Sequence, residues 1–301
     1  MTTKYNSIKV LGLIAAAALS ASAAENAAPS AADIAKIEAI VSSPGCLAAP
    51  RAPRKVLLVS EIRGYNHKNG IAWGNAAFEA AARLTGAFKL DTGSLADLAK
   101  PDVLSKYDAV ILNNTTSVKA AAFPGMEEAL TGFVASGKGL VLIHSAVDAF
   151  YDCQKIQEMN GGLFHGHPWH AHSKCLFVNE RPDHPVSAAF GGVAKFRTSD
   201  EIYMQKSPPF DRSKLTVLVS LDKDDPENVR YENSWRNSEN PSVRKFNIRE
   251  DRDFAVSWVK DYGKGRVFYT SFGHDERAFL DPMRLRHILA GVQFCLRDVC
   301  P

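Results

Sequence analysis

The sequence has 301 residues, of which 46% are hydrophobic and 23% charged, and its formal net charge is +3. This composition is typical of a globular protein with a substantial buried core, and it excludes a disordered or fibrous chain. The small net charge gives no electrostatic reason to expect a nucleic acid or a membrane surface as a partner.

The first 23 residues are predicted to form a secretory signal peptide. Lys4 and Lys9 precede an uncharged apolar run over residues 10–19, and Ala21-Ser22-Ala23 supplies the small residues of a cleavage site. A transmembrane anchor is the alternative, but crossing a membrane takes roughly 20 apolar residues. We therefore expect a cleaved leader and a periplasmic or secreted mature protein.

Export changes the expectation for the cysteines, which are Cys46, Cys153, Cys175, Cys295 and Cys300. No two of them form a Cys-x-x-Cys pair, which argues against a structural zinc site. Disulfides are expected in an oxidising compartment. A bridge from Cys46 to Cys295 or Cys300 would tie the N-terminal segment to the last helix, although the pairing stays open.

The predicted elements form an α/β domain over residues 55–301, preceded by an extension over residues 24–54. The extension contains one helical pattern from Ala31 to Val41, with Ser30 as its N-cap. In the first half of the domain, strands are predicted at 55–60, 88–91, 107–113 and 139–144, with helices at 72–85 and 123–136. Apolar strands that alternate with helices indicate right-handed crossovers and a parallel sheet.

From about residue 174 the strand patterns follow one another closely, which indicates an antiparallel or mixed extension of the sheet. These patterns lie at residues 174–179, 195–204, 215–220, 254–258 and 266–271. The polar stretch 222–252 is predicted to be a surface insertion, and the last helix to run from Pro282 to Leu296. The predicted fold is a flavodoxin-like three-layer α/β fold with a mostly parallel central sheet and an antiparallel extension in the C-terminal half.

Histidines and carboxylates recur just after the predicted strands. Because ligands of open α/β sheets bind outside the carboxyl ends of the strands, we expect these side chains to line one pocket. The candidate catalytic residues are His144, Glu201, His274, Asp148 and Asp275. The candidate substrate-binding residues are His67, His167, His165, Trp169 and Tyr203.

Several of these residues also have a purely structural interpretation. A histidine at a strand end can cap backbone groups, and Asp148 can cap a helix. Trp169 and Tyr203 can pack in the core as well as stack on a sugar ring. Asp200 is more typical of a turn, and His287 is expected to be a structural part of the last helix.

Two chemistries fit such a cluster. Neutral imidazoles and a carboxylate can hold a divalent metal such as Zn²⁺, and the candidate ligands are His67, His144, His167 and His274. The same groups can instead act as general acid and base on a sugar hydroxyl or on a proton next to a keto group. No Gly-x-Gly-x-x-Gly follows the first strand, so no nucleotide cofactor is expected.

Six sequence blocks resemble one known family. They read VLLVSEIRGYNH, GKGLVLIHSAVDAF, GGLFHGHP, DHPVS, SDEIY and YGKGRVFYTSFGHD. From about Lys55 to Leu296, their content and order resemble the trehalose-utilisation (ThuA-like) family. The resemblance implies a class I glutamine amidotransferase-like fold. The resemblance also implies that the functional site contains His67, His144, Asp148, His167, Glu201, His274 and Asp275.

The resemblance implies a role in the bacterial breakdown of sugars, including trehalose and 3-keto glycosides, in association with a sugar oxidoreductase. It does not imply amidotransferase activity, because His144 stands where those enzymes carry a nucleophilic cysteine. We therefore expect a small carbohydrate as substrate. The alternatives are a non-catalytic sugar-binding module and a structural partner of a sugar dehydrogenase.

Overall fold

The computed structural model describes residues 28–300, so the predicted leader at 1–23 lies outside the described residues. The strands are β1 Lys55–Val59, β2 Lys89–Gly93, β3 Ala109–Asn113, β4 Gly139–Ile143, β5 Lys174–Asn179, β6 Lys195–Ser199, β7 Thr216–Leu221, β8 Ala255–Tyr262 and β9 Gly265–Thr270. The helices are α1 Ala31–Val41, α2 Lys68–Thr85, α3 Pro101–Leu104, α4 Met126–Ala135, α5 Gln154–Asn160, α6 Pro226–Arg236, α7 Pro241–Arg244, α8 Glu276–Leu280 and α9 Pro282–Cys295.

The strands form a mixed sheet in the order β2-β1-β3-β4-β9-β8-β7-β5-β6. The neighbours from β2 to β9 pair in parallel, and those from β9 to β6 pair antiparallel. This arrangement confirms the predicted flavodoxin-like fold, with a parallel core and an antiparallel extension in the C-terminal half.

The central parallel strands β1, β3 and β4 are largely apolar because helices cover both faces of the sheet there. Val56 and Leu58 of β1 pack into one hydrophobic core with α1, α2 and α9. Their neighbours Leu57 and Val59 point to the opposite face and pack with α4 and α5. The alternation of side chains along a strand therefore builds the three layers.

The N-terminal extension is held on the domain by polar contacts as well as by α1. Ser30 caps α1 as predicted. The Arg54 guanidinium pairs with Asp298 at 2.8 Å. The side-chain amide of Gln293 donates to the Ala48 carbonyl at 2.7 Å and accepts from the Ala48 N–H at 2.8 Å. These contacts join the extension to the C-terminal helix, which is the link that a disulfide was expected to make.

The five cysteines are all free thiols in the structure. No bridge joins Cys46 to Cys295 or Cys300, so the structure does not support the expected disulfide. Among the described residues, the helices are too short or too polar for any of them to cross a membrane.

The polar stretch 222–252 does more than form a surface insertion. It contains α6 and α7, and two of its aromatic side chains point toward the domain. The Trp235 ring lies edge-on to His167, with 5.6 Å between the ring centroids. The Phe246 ring meets Phe164 in the same way at 5.4 Å. The insertion therefore contributes a wall beside predicted site residues, which its polar composition did not indicate.

His287 of α9 is structural, as expected. It is fully buried, its Nδ1 lies 2.9 Å from the Val186 carbonyl, and its Nε2 lies 2.9 Å from the Ser257 hydroxyl. Burial lowers the pKa of His287 to about 4. The imidazole is therefore neutral in the folded protein at pH 7, and it donates from Nδ1 to the carbonyl.

We predict that His287 makes folding less stable as the pH falls from about 6.5 to 4. In that interval the unfolded chain binds a proton at His287 that the folded protein does not bind, which costs about 3 kcal/mol. In His287→Asn the amide can still donate to Val186, but this part of the pH dependence should disappear. Urea unfolding at several pH values measures the difference, and parallel stability curves for the two proteins would contradict it.

Candidate functional site

Parallel pairing brings three histidines from distant segments to one edge of the sheet. His67 is the N-cap residue of α2, after β1, whereas His144 directly follows β4 and His274 follows β9. β1, β3, β4 and β9 are successive parallel neighbours, so their carboxyl ends lie side by side. This is the edge at which open α/β sheets bind ligands.

Glu201 reaches the same edge from the antiparallel half of the sheet. The predicted strand 195–204 ends at Ser199, and the chain beyond it crosses the end of β9. There the Tyr203 N–H donates to the Ser271 hydroxyl at 3.0 Å, and that hydroxyl lies 3.4 Å from the Glu201 carbonyl. Residues 202–205 pair with the 164–169 segment through two isolated bridges, which places His167 nearby.

Asp200 joins the Glu201 segment to the His274 loop. Its carboxylate accepts from the backbone N–H groups of Glu201 at 2.9 Å, Gly273 at 3.1 Å and His274 at 3.3 Å. Arg284 of α9 pairs with it at 3.4 Å. Burial raises the pKa of Asp200, whereas Arg284 and the amide donors favour the charged form. Asp200 was expected only to form a turn, and it is instead a buried positioning residue.

His144, Glu201 and His274 form a tight cluster. His144 Nε2 lies 3.3 Å from His274 Nδ1 and 3.7 Å from Glu201 Oε1. His274 Nδ1 is also 3.4 Å from that carboxylate oxygen. Adding His67 gives four side chains whose potential metal-binding atoms all lie within 4.8 Å of one another.

His144 has a left-handed backbone, with φ of 49°. This conformation costs a residue with a Cβ atom roughly 1–2 kcal/mol, and such strain is concentrated at functional sites. The side chain is fully buried, and its Nδ1 lies 2.6 Å from the Ser271 carbonyl. Because a carbonyl only accepts, Nδ1 carries the proton, and Nε2 presents its lone pair to the cluster.

A chain of hydrogen bonds fixes the tautomer of His67 in the same way. The Asn114 amide nitrogen donates to the Gly273 carbonyl at 3.0 Å, which turns its oxygen toward the Ser145 hydroxyl at 3.2 Å. That hydroxyl donates to Asn114 and accepts from Nδ1 of His67 at 3.3 Å. The lone pair of His67 is therefore on Nε2, 3.4 Å from the Tyr203 hydroxyl.

Burial and the neighbouring charges set the protonation of the cluster. Burial, with help from the imidazoles of His144 and His274, lowers the pKa of His67 to about 2. Burial acts to raise the pKa of Glu201, but the contacts with His144 and His274 outweigh it and hold that pKa well below its usual range. Burial acts to lower the pKa of His274, but the contact with Glu201 outweighs it, and the pKa is raised.

Further predicted residues surround the cluster. His167 Nδ1 lies 3.3 Å from Oε2 of Glu201, the oxygen that faces away from His144. The Tyr203 ring lies 4.4 Å from the His144 ring, and the His165 ring meets Phe246. The structure therefore brings His167 and Tyr203 to the cluster, whereas His165 packs against Phe246 of the insertion.

Asp148 forms a polar pair with Tyr151. The Tyr151 hydroxyl donates to the Asp148 carboxylate at 2.6 Å, and it also lies 3.5 Å from the Phe164 carbonyl. Burial raises the pKa of Asp148. Tyr151 is half-exposed, so the pair lies at the protein surface.

Two residues that were predicted for the site make structural contacts instead. Trp169 is fully buried and donates its indole N–H to the Asn228 carbonyl at 3.1 Å, so neither face of its ring is open to a sugar. The stacking role predicted for Trp169 does not fit this geometry. Asp275 is the N-cap of α8 and pairs with the Arg277 guanidinium, which leaves its carboxylate engaged in structural contacts.

Sequence reasoning missed Asn114, Ser145, Ser271 and Arg284, whose contacts orient the cluster. A signal for Asn114 was present, because the run Asn113-Asn114-Thr115-Thr116 ends an apolar strand and is fully buried. Ser145 and Ser271 belong to sequence blocks already singled out. Arg284 lies within the last helix, and no local pattern indicates that it pairs with Asp200.

The parallel core with its antiparallel extension defines a flavodoxin-type α/β protein, which is the fold of the class I glutamine amidotransferase-like superfamily. The model of one family, ThuA, described as trehalose utilisation, matches residues 55–295. The chain belongs to this family.

Two solved structures are similar over most of the chain. A ThuA-like protein from Bacteroides uniformis is 19% identical, with a TM-score of 0.62, and the match covers 84% of this chain and 95% of that one. A ThuA-like protein from Parabacteroides merdae is 17% identical, with a TM-score of 0.57, and the match covers 81% of this chain and 90% of that one. At these identities the likeness shows the fold. No curated protein matches the sequence significantly.

We predict that Gly70→Ala displaces the His274 loop. A Cβ atom at Gly70 would lie 2.5 Å from the Gly273 carbonyl oxygen and 2.6 Å from that of His274, and backbone atoms cannot turn aside. Overpacking of this kind costs about 1–3 kcal/mol. Urea unfolding measures the loss, and the His274 ring resonances in an NMR spectrum should shift.

The matched control is Gly132→Ala in α4, where a Cβ atom would meet nothing within 4 Å. This helix-interior change should stabilise the protein by about 0.5–1 kcal/mol. Equal stabilisation by both substitutions would show that the close approach at Gly70 is absent.

Proposed function

We propose that the chain is an exported enzyme that acts on a sugar or keto-glycoside, with His144, Glu201 and His274 as its chemical centre. The observation that carries this proposal is the convergence of these three groups and His67 at the carboxyl edge of the parallel strands. Membership of the trehalose-utilisation family supports a carbohydrate as the substrate class.

The cluster combines groups that sugar chemistry needs. Glu201 is a carboxylate, His274 can carry a proton, and His67 and His144 each present a lone pair on Nε2. Such a set can transfer a proton at a hydroxyl or next to a keto group, or it can hold an ion that stabilises negative charge on a substrate oxygen. Burial strengthens either effect, because water does not screen the charges.

Aromatic side chains beside the cluster support a pyranose ring as the substrate. Phe164 and Phe246 are partly buried and meet at 5.4 Å, next to the buried ring of Tyr203. Aromatic rings pack against the apolar C–H faces of sugars. Asp148 and Tyr151 add a carboxylate and a hydroxyl that can bind sugar hydroxyl groups.

The substrate and partners follow from the same chemistry. A keto-glycoside is made by oxidising a hydroxyl group of a glycoside, so a functional association with a sugar oxidoreductase is part of the proposal. Amidotransfer is not, because the turn after β4 carries His144 and Ser145 in place of a thiolate.

Activity tests the chemical centre. His144→Asn keeps a residue that tolerates the left-handed backbone but removes the imidazole, and His274→Ala removes the group that can donate a proton. Each should lower turnover of a 3-keto glucoside by roughly 100-fold or more. His172→Ala, at an exposed histidine outside the cluster, is the control. Undiminished rates in both site variants would refute the assigned roles, and wild-type protein that binds glycosides without turning them over would refute catalysis.

Export has a separate test. In cells that express the full chain, the mature protein should appear in the periplasm or medium without its first 23 residues, and N-terminal sequencing should read from residue 24. Replacing residues 10–19 with a polar segment should retain the chain inside the cell. An uncleaved chain in the cytoplasm would contradict this proposal.

A further inference from the structure

We propose that the cluster binds one divalent transition-metal ion, of the class that includes Zn²⁺, through His67 Nε2, His144 Nε2, His274 Nδ1 and Glu201 Oε1. This inference deepens the proposed function by naming the cofactor of the same site. The binding of an ion can nevertheless be measured without any substrate.

The first argument is the direction of the lone pairs. The Ser271 carbonyl fixes the proton of His144 on Nδ1, and the chain through Asn114 and Ser145 does the same for His67. Two neighbouring imidazoles therefore both present an unprotonated Nε2. A cluster held together by shared protons needs donors at these positions, whereas a metal ion needs lone pairs.

The second argument is that one proton on His274 cannot form good hydrogen bonds to both neighbouring acceptors. His274 Nδ1 is the nitrogen left to donate, and it lies 3.3 Å from His144 Nε2 and 3.4 Å from Glu201 Oε1. Both distances are long for a hydrogen bond, which is usually near 2.9 Å. A cation among the four atoms would interact favourably with all of them at once.

The third argument is the spacing of the atoms. Ligands at about 2.0–2.1 Å from a tetrahedral zinc ion are roughly 3.3–3.4 Å from one another. The three distances among His144, His274 and Glu201 are 3.3, 3.4 and 3.7 Å. The first two separations match those of ligands around an ion of this size, and the third is slightly longer.

The groups behind the ligands also fit a metal site. Metal-binding histidines usually donate their other N–H to a carbonyl or a similar acceptor, which fixes the ring and raises its basicity. His144 donates to a backbone carbonyl, and His67 donates to Ser145. His167 faces the second oxygen of Glu201, so it acts as a positioning residue behind the carboxylate and not as the fourth ligand that the sequence suggested.

The choice of ion follows from the donor atoms. Imidazole nitrogens favour zinc and its neighbours in the first transition series, whereas Mg²⁺ and Ca²⁺ prefer sites made of oxygen atoms. The set of three nitrogens and one oxygen contains no sulfur, and all five cysteines belong to other parts of the structure.

The test uses the full-length protein, expressed without a histidine tag, stripped with a chelator and titrated with ZnCl₂ in a calorimeter. We expect one ion per chain with submicromolar affinity, and a higher melting temperature for the loaded protein. Glu201→Gln and His144→Asn should each weaken binding by roughly 100-fold or more, since losing even an outer hydrogen bond costs 10–100-fold.

His170→Ala is the informative control. His170 belongs to a second group, with His167 and Glu201, that could hold an ion at a neighbouring position. Unchanged binding in His170→Ala supports the proposed ligands, and loss of binding in this variant overturns them. Absence of binding by the wild-type protein at micromolar zinc also overturns the proposal.

A measurement on the wild-type protein covers the case in which the site variants do not fold. X-ray absorption of the zinc-loaded protein should show nitrogen and oxygen neighbours at about 2.0–2.1 Å with several imidazole rings, and no sulfur at about 2.3 Å. A spectrum that shows only water oxygens would overturn the proposal.

Failure of the metal inference can be told apart from failure of the proposed function. Keto-glycoside turnover by wild-type protein that binds no zinc in the calorimeter would overturn the metal inference and leave the enzyme proposal standing. Loaded protein that binds zinc in the expected geometry but turns over no glycoside would support the metal site and overturn the proposed function.

Discussion

The buried carboxylate of Asp200 is the interaction on which the geometry of the site depends. Glu201 comes from the end of β6, at one edge of the sheet, whereas His274 follows β9 in its middle. Asp200 accepts hydrogen bonds from the backbone of both segments, and Arg284 of α9 holds its charge in place. A charge buried with several donors is stable only when all of them are present, so this contact specifies one relative position of the two segments.

Around that anchor, the protein gathers three imidazoles and a single carboxylate. Burial and the neighbouring imidazoles lower the pKa of His67 to about 2, whereas the contact with Glu201 raises the pKa of His274. The single carboxylate of Glu201 balances at most one positive charge. The site therefore contains many electron-pair donors and little net charge. Such a site suits an electrophile, whether that is a proton, a metal ion or a substrate carbonyl. The strained backbone of His144 shows that this arrangement is maintained at a cost to stability.

The sequence was informative wherever a local pattern determines structure. The apolar runs of β1, β3 and β4 predicted the parallel core, and the rule for carboxyl ends of strands then predicted that His67, His144 and His274 would meet. The sequence could not show which nitrogen of each histidine ring is protonated, because the protonation depends on partners such as Ser271 that come from remote segments. It also misjudged Trp169, since nothing local distinguishes a tryptophan in a pocket from one in the core. The contribution of the 222–252 insertion was missed for the same reason, because polar composition does not reveal where Trp235 and Phe246 point.

The residues on either side of that insertion are hydrogen-bonded to each other at the sheet. The insertion lies between Leu221, the last residue of β7, and Phe254, the residue before β8, and the Leu221 N–H donates to the Phe254 carbonyl at 3.0 Å. A segment whose ends are already paired can be lengthened, shortened or exchanged at a small entropic cost and without moving the strands. The segment beside His167 can therefore change while the histidines and Glu201 keep their positions. In the proposed function, the segment beside the substrate is therefore separable from the groups that carry out the chemistry, and exchanging the insertion between family members would show whether it sets specificity.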